Sequence, residues 1–429
     1  MNVIAQRGIA QRGIAYSGLD ALIARRRPGN SLEAPFYTSQ EVFDLDLRLI
    51  FGRHWVFVAS EPEIAEPGDY VTVEIGRTSI ILVRDDDMAV RAFHNVCRHR
   101  GSIILRDSKG FVGNLVCPYH QWTYDLTGRL IHAENMPSCI GSAEHGLKPV
   151  HVRSLAGLLF ICLADEPPVD FEDFAAQVGP YLAPHGLRDC KVAAQIDLIE
   201  HGNWKLTIEN NRECYHCGGH PELLRSLFHF FGYTAADVTP AQQDDYERFL
   251  RTQVEFERIW NAAGLPWRAL EDLHGRPTGF RTERLALDGP GESYTMDARQ
   301  ASRKLVGGFT QPRMGALHLH TQPNSWHHFL GDHAVTFATL PAAPDRTLVR
   351  TTWLVAKDAV EGVDYDLDRL TEVWRATNEQ DAAFVTMAQE GAASSGHEPG
   401  PYAPAEYMVD AFCTWYIERL RAGMGEPGR

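Results

Sequence analysis

The sequence has 429 residues, 44% of them apolar, enough to bury a substantial core and to build two domains or three. A net charge of -15 gives no electrostatic reason to bind nucleic acid or an anionic membrane surface. No apolar run reaches membrane-spanning length, the first residues lack the apolar core of a signal peptide, and eight scattered cysteines are too sparse for a disulfide scaffold, so the expected location is cytoplasmic.

Residues 4 to 8 and 9 to 13 repeat the letters IAQRG, and the Arg- and Gly-rich stretch to Arg27 reads as an arm. From Ser39, apolar residues recur at helical steps (Val42, Phe43, Leu47, Ile50, Phe51, Trp55), which predicts a docking helix starting within an N-terminal segment 1–45. Short β-type runs follow at Tyr70 to Ile75, Thr78 to Val83, Ala89 to Val96, Leu115 to Tyr124 and Leu158 to Leu163, separated by turn signals such as Asp85-Asp86-Asp87. They predict a small antiparallel β domain over 46–165, ended by Asp165-Glu166-Pro167-Pro168. The remainder, 166–429, mixes strands (Ala334 to Phe337, Leu348 to Leu354) with helical segments near 204 to 228 and 366 to 390. The expected fold class is therefore α+β.

Cys97-Arg98-His99 and, seventeen residues later, Cys117-Pro118-Tyr119-His120 bring two thiolates and two imidazoles to neighbouring turns of the β domain. That set suits zinc, or a Rieske [2Fe-2S] cluster with the cysteines on one iron and the histidines on the other. Gly101 after the first pair and Gln121-Trp122 after the second resemble the cluster-binding loops of Rieske proteins, so electron transfer is the implied role. Further on, Glu213, His216 and His220 stand at steps of three and four, and on a helix would share a face. In the segment from Asp366, Asp381 falls amid an apolar stripe (Leu367, Leu370, Val373, Trp374, Thr377, Phe384, Val385, Ala388), where a carboxylate needs a partner or a metal. His216, His220 and Asp381 would make the two-His-one-carboxylate triad of non-haem Fe(II) oxygenases, with open positions for O2. His318, His320, His327 and His328, alternating along strand-like segments, read as packing and surface residues.

With both metal motifs in this order, the chain resembles the oxygenase (alpha) subunits of Rieske non-haem iron oxygenases from about Leu32 to Leu420. The resemblance implies an all-β Rieske domain followed by a helix-grip catalytic domain. It also implies a homotrimer in which one subunit's cluster faces its neighbour's mononuclear iron, and a separate flavin and iron-sulfur reductase that uses NAD(P)H. Cys97, His99, Cys117 and His120 would hold the cluster, His216, His220 and Asp381 the iron, and Glu213 would be an acidic bridge between a cluster histidine and an iron histidine. One departure stands out: three residues separate His216 from His220, where the family commonly has four.

The run from Glu209 to His216, Pro323-Asn324-Ser325-Trp326, Lys357 to Tyr365, and Thr377-Asn378-Glu379-Gln380-Asp381 look like the glycine betaine monooxygenase and stachydrine demethylase subgroup, with carnitine monooxygenase more distant. That implies a monooxygenase that hydroxylates an N-methyl group of a quaternary ammonium compound and releases formaldehyde. The alternatives are an oxygenase acting on an aromatic acid or aryl methyl ether and, in another class, an electron carrier or a zinc-stabilised module. A cation without N–H groups needs an aromatic lining, for which Trp326 and Phe329 are the candidates. Cys214 and Cys217, which flank His216, read as packing residues.

Overall fold

The structure is a computed structural model that describes residues 17–136 and 144–425. The IAQRG repeat lies outside the described residues. Ser39 caps the Gln40–Leu45 helix, its side chain accepting from the Val42 amide, but regular winding stops at Leu45 and a wider turn, Asp46–Phe51, completes the predicted segment.

Three small antiparallel sheets follow. Val56–Ser60 pairs with Leu158–Cys162, which pairs with His151–Leu155. Val90–His94, Thr78–Arg84, Asp69–Ile75 and Lys109–Phe111 form the second sheet. Leu115–Val116, Thr123–Tyr124 and Leu130–His132 form the third. Tyr70, Ile81, Val83, Phe93, Cys97, Cys117, Trp122 and Tyr124 share a core of their own beneath the last two sheets.

The C-terminal portion is built on one seven-stranded antiparallel sheet. Its strands are β1 (Cys190–Glu200), β2 (Leu270–Asp272), β3 (Phe280–Leu285), β4 (Ala316–Thr321), β5 (Ser325–Phe329), β6 (His333–Ala343) and β7 (Arg346–Ala356), in spatial order β1-β7-β6-β5-β4-β3-β2. Strands β4 to β7 are buried along most of their length although they carry several His and Thr residues, so these polar side chains sit inside the domain. Helices α1 (Trp204–Asn210), α2 (Leu367–Ala392) and α3 (Tyr407–Gly425) belong to this portion, as do the helices Phe171–Leu182 and Gln243–Ala262. Asp366 caps α2 through the Arg369 amide, and Leu370, Val373, Trp374, Thr377, Asp381 and Val385 form its buried stripe.

The expected long helix near 204 to 228 is not formed: α1 ends at Asn210 and turns follow. Asn210-Asn211 and Gly218-Gly219 are weak helix formers, and the Glu213 carboxylate accepts from the Tyr215 amide, which competes with helical bonding.

The two portions share one apolar core that runs from Phe57 and Phe160 through Phe171 and Phe174 to Phe280. Asn324, in the tight turn between β4 and β5, fastens them further: its amide accepts from the Phe57 N–H at 3.0 Å and donates to the Phe57 carbonyl at 2.8 Å. Among the described residues, no helix is long and apolar enough to cross a membrane.

Candidate metal centres and cavity

Two loops of the N-terminal portion are built alike. The Gly101 amide donates to the Cys97 carbonyl at 3.0 Å and the Gln121 amide to the Cys117 carbonyl at 3.1 Å, each closing a turn one residue beyond or next to a histidine. Both closing residues have positive φ, +74° at Gly101 and +57° at Gln121. A side chain in that conformation costs about 1 kcal/mol, so Gln121 marks a position where the turn outweighs local preference. The Cys97 and Cys117 thiols are buried, while His99 and His120 lie at the edge with ring centroids 4.6 Å apart. His99 stacks on Trp122 at 4.9 Å, and its Nδ1 is buried without a hydrogen-bond partner. Buried thiols, outward imidazoles and an unmatched ring nitrogen fit a two-iron cluster that separates the cysteine iron from the histidine iron. The four ligand atoms do not gather as a single-ion site would require; among the described residues, only His216, His220 and Asp381 do so.

That second group lies between the turns after α1 and the buried stripe of α2, with one ligand atom from each residue within 4.8 Å of the others. Helical spacing does not bring the two histidines together. A turn at Cys217–Gly219 does, and it accommodates the short three-residue interval. Each ring is held through Nδ1: His216 by Glu213 Oε1 at 2.5 Å, His220 by Gln380 Oε1 at 2.8 Å. Since both partners accept, both rings donate through Nδ1, which leaves Nε2 as the atom a metal would take once it displaces any proton there. These Nε2 atoms face Asp381 Oδ1 at 3.4 and 3.1 Å. His220 Nε2 and Asp381 Oδ1 are buried and make no hydrogen bond, as metal ligands would. Burial alone would lower the His216 pKa, but the Asp381 and Glu213 carboxylates outweigh it and raise it to about 10. Burial likewise opposes the Asp381 charge, and the two histidines reverse that, so its carboxyl is held below the usual range. A site with this much negative charge suits a divalent cation. Cys214 and Cys217, expected to be packing residues, are joined as a disulfide across His216.

The triad opens onto a cavity of about 570 Å³ including its mouth. Trp326 is part of the wall. Phe329 is not, which corrects the sequence expectation: three positions apart on β5, the two side chains point to opposite faces, and Phe329 packs against His185 and His327. The reading of the histidines as surface residues is also corrected, because His318, His320 and His328 line the cavity and are buried. Sequence reasoning missed Trp374, Tyr294 and Phe231 as wall residues. Trp374 carried a usable signal, standing seven positions before Asp381 on the same helical stripe. Tyr294 lies in an irregular segment that offered none. Trp326 stacks on Phe337 at 4.7 Å, and Trp374 on His328 at 4.3 Å.

Comparison with known proteins agrees with this layout. Residues 187–422 match the family described as the ring hydroxylating alpha subunit (catalytic domain), and residues 54–152 match the Rieske [2Fe-2S] domain. The chain is 46% identical over 402 residues to the glycine betaine monooxygenase oxygenase subunit of Chromohalobacter salexigens, covering 93% of this chain and 88% of that one. It is 42% identical to the corresponding subunit of Pseudomonas aeruginosa, over 92% and 90% of the two chains. Among solved structures, a quaternary ammonium Rieske monooxygenase superimposes with a TM-score of 0.68 at 22% identity, over 93% of this chain and 98% of that one. A naphthalene 1,2-dioxygenase from Rhodococcus sp. gives 0.62 at 20% identity, over 92% and 95%. At such identities these likenesses concern the fold.

Proposed function

Because the chain belongs to the Rieske-type ring-hydroxylating oxygenases, as an alpha subunit with a Rieske cluster and a mononuclear non-haem iron, we propose that it hydroxylates an N-methyl group of a betaine-like quaternary ammonium compound. The resulting carbinolamine releases formaldehyde and the demethylated amine. The observation that carries this reading is the 46% identity, nearly end to end, to a glycine betaine monooxygenase oxygenase subunit. The cavity supports it, since its wall combines Trp326, Trp374, Tyr294 and Phe231 and, among the described residues, includes no Lys or Arg. Aromatic faces attract a cation that has no N–H to donate.

Cys97, His99, Cys117 and His120 hold the cluster, and His216, His220 and Asp381 the iron, within a cluster domain at 46–165 and a catalytic domain at 166–429 that follow the arm at 1–45. When bound, the cluster supplies electrons and the iron the O2 chemistry. The chain's own groups orient and insulate. Glu213 and Gln380 fix the two imidazoles, and the buried aromatic wall keeps water from the reacting methyl group. Electrons come from a flavin and iron-sulfur reductase using NAD(P)H, and the chain works as a homotrimer in which Glu213 joins His216 to a cluster histidine of the adjacent subunit.

The test is NAD(P)H consumption and formaldehyde release by the reconstituted system with a panel of betaines and aromatic acids. Betaine-dependent formaldehyde is the expected result; turnover of aromatic acids alone overturns the reading. Glu213→Gln is expected to retain about three irons and about two sulfides per chain and to lose coupled turnover.

A further inference from the structure

The cavity wall changes character across the sheet. Paired positions on β6, β5, β4 and β3 read Phe337, Trp326, His320 and Arg281 in one row, and Val335, His328, His318 and Glu283 in the next. The sheet therefore passes from aromatic rings, through the imidazoles of the cavity wall, to an ion pair outside that wall, Arg281 with Glu283 at 2.6 Å. A betaine carries its own dipole, with an ammonium at one end and a carboxylate at the other. The aromatic side accounts for the ammonium, and the carboxylate still needs donors.

His318 is placed to be one. Its Nε2 lies 2.8 Å from the hydroxyl of Tyr294, which is fully buried. A phenol donates more readily than it accepts, and a bare imidazole nitrogen is a strong acceptor, so the hydroxyl donates to Nε2 and the proton of neutral His318 sits on Nδ1. Burial, aided by Arg281, keeps the ring neutral at ordinary pH. His320 is committed elsewhere, since its Nε2 lies 3.0 Å from the Asn211 carbonyl and must donate there. A second observation also points to a ligand that brings acceptors beside His318: His328, whose ring centroid lies 4.3 Å from that of His318, has its Nδ1 buried without a hydrogen-bond partner.

We propose that His318, held in its Nδ1–H form by Tyr294, receives the carboxylate of a zwitterionic substrate whose ammonium rests against Trp326 and Trp374. His318 is then a binding residue and Tyr294 a positioning residue. The proposal rests on the quaternary ammonium reading, and its test separates the two.

Equilibrium binding to the metal-loaded enzyme, without reductant, is measured by calorimetry for glycine betaine and for ethyltrimethylammonium, which keeps the cation and lacks the carboxylate. The parent is expected to prefer glycine betaine by at least about tenfold, the worth of one hydrogen bond to a charged group. His318→Leu should bring the two ligands to within about twofold, His318→Asn, which restores an N–H near the Nδ1 position, should recover the preference, and Tyr294→Phe should lose part of it. Equal affinities in the parent, or an intact preference in both His318→Leu and Tyr294→Phe, overturn the carboxylate site while leaving the cation reading in place. A parent that binds neither ligand overturns both. Should His318→Leu fail to fold, Tyr294→Phe, which removes one oxygen, decides alone.

Discussion

Replacing Gln380 with Leu isolates the support of one iron ligand from the ligand itself. Gln380 Oε1 accepts from His220 Nδ1 at 2.8 Å, and its Nε2 donates to Glu222 Oε2, also at 2.8 Å, so the amide is oriented from both ends. In Gln380→Leu the His220 ring loses the bond that fixes its tautomer and rotation, and its Nδ1–H is left without an acceptor. Losing such an outer partner weakens metal affinity by roughly 10- to 100-fold, or about 1.4 to 2.7 kcal/mol. Glu222→Gln, which changes only the more exposed end of the chain of bonds, should cost less than about 1 kcal/mol. The assay is anaerobic competition for Fe(II) with a chelator of known affinity, using the visible absorption of the cluster as an internal standard. Iron affinity within about twofold of the parent would refute the argument that the amide orients His220. Joint loss of iron and cluster would refute it as well, since the damage would then be global.

Other outcomes follow from the same geometry. Trp374→Leu should raise KM for the betaine by about tenfold, the loss of one desolvated cation-π contact, whereas Phe329→Leu should leave KM unchanged and lower stability by about 1 to 3 kcal/mol, read as a Tm shift. Lys205 and Asp46 form an ion pair with both side chains fully buried, and Asp46 also accepts from Trp204 and Tyr416. Lys205→Met or Asp46→Leu alone should destabilise by about 3 to 5 kcal/mol, and the double variant should regain only part of that in thermal unfolding, because Trp204 and Tyr416 still lack their acceptor. Burial pushes Glu209 up to about 7, against the opposing pull of Tyr37 and Lys205. A carboxyl whose folded pKa exceeds its unfolded value favours the fold fully below that unfolded value and loses the contribution as pH rises through about 7. Stability should therefore fall between about pH 5 and pH 8, and Glu209→Gln should flatten the fall. An equally steep fall in the variant would assign the dependence to other groups.

The fold was legible where local chemistry and tertiary demand agree. Ser39 and Asp366 announce their helices because each caps one, and the stripe of α2 repeats at helical spacing around Asp381. Fold class and family were readable from the two metal motifs and their order. What escaped depended on non-local contacts. The segment after Asn210 has helical spacing in its histidines yet folds as turns, since Glu213 turns its carboxylate to its own backbone and to His216. The Phe329 error was one of parity along a strand, and the sequence alone could have avoided it. Tyr294 could not have been found that way: only its place against His318, His328 and Trp374 gives it meaning.

The shared core between the two portions bears on recombination. A chimera cut at the limits of the Rieske match, 54 and 152, would divide the His151–Leu155 strand and set a foreign Val56–Ser60 segment against the native Leu158–Cys162 strand. The exchangeable module is therefore larger than the cluster domain. It must carry the strands through Cys162 and the Phe171–Leu182 helix that packs against them. Grafts that respect this seam inherit the core intact, and grafts that ignore it open a row of phenylalanines to water.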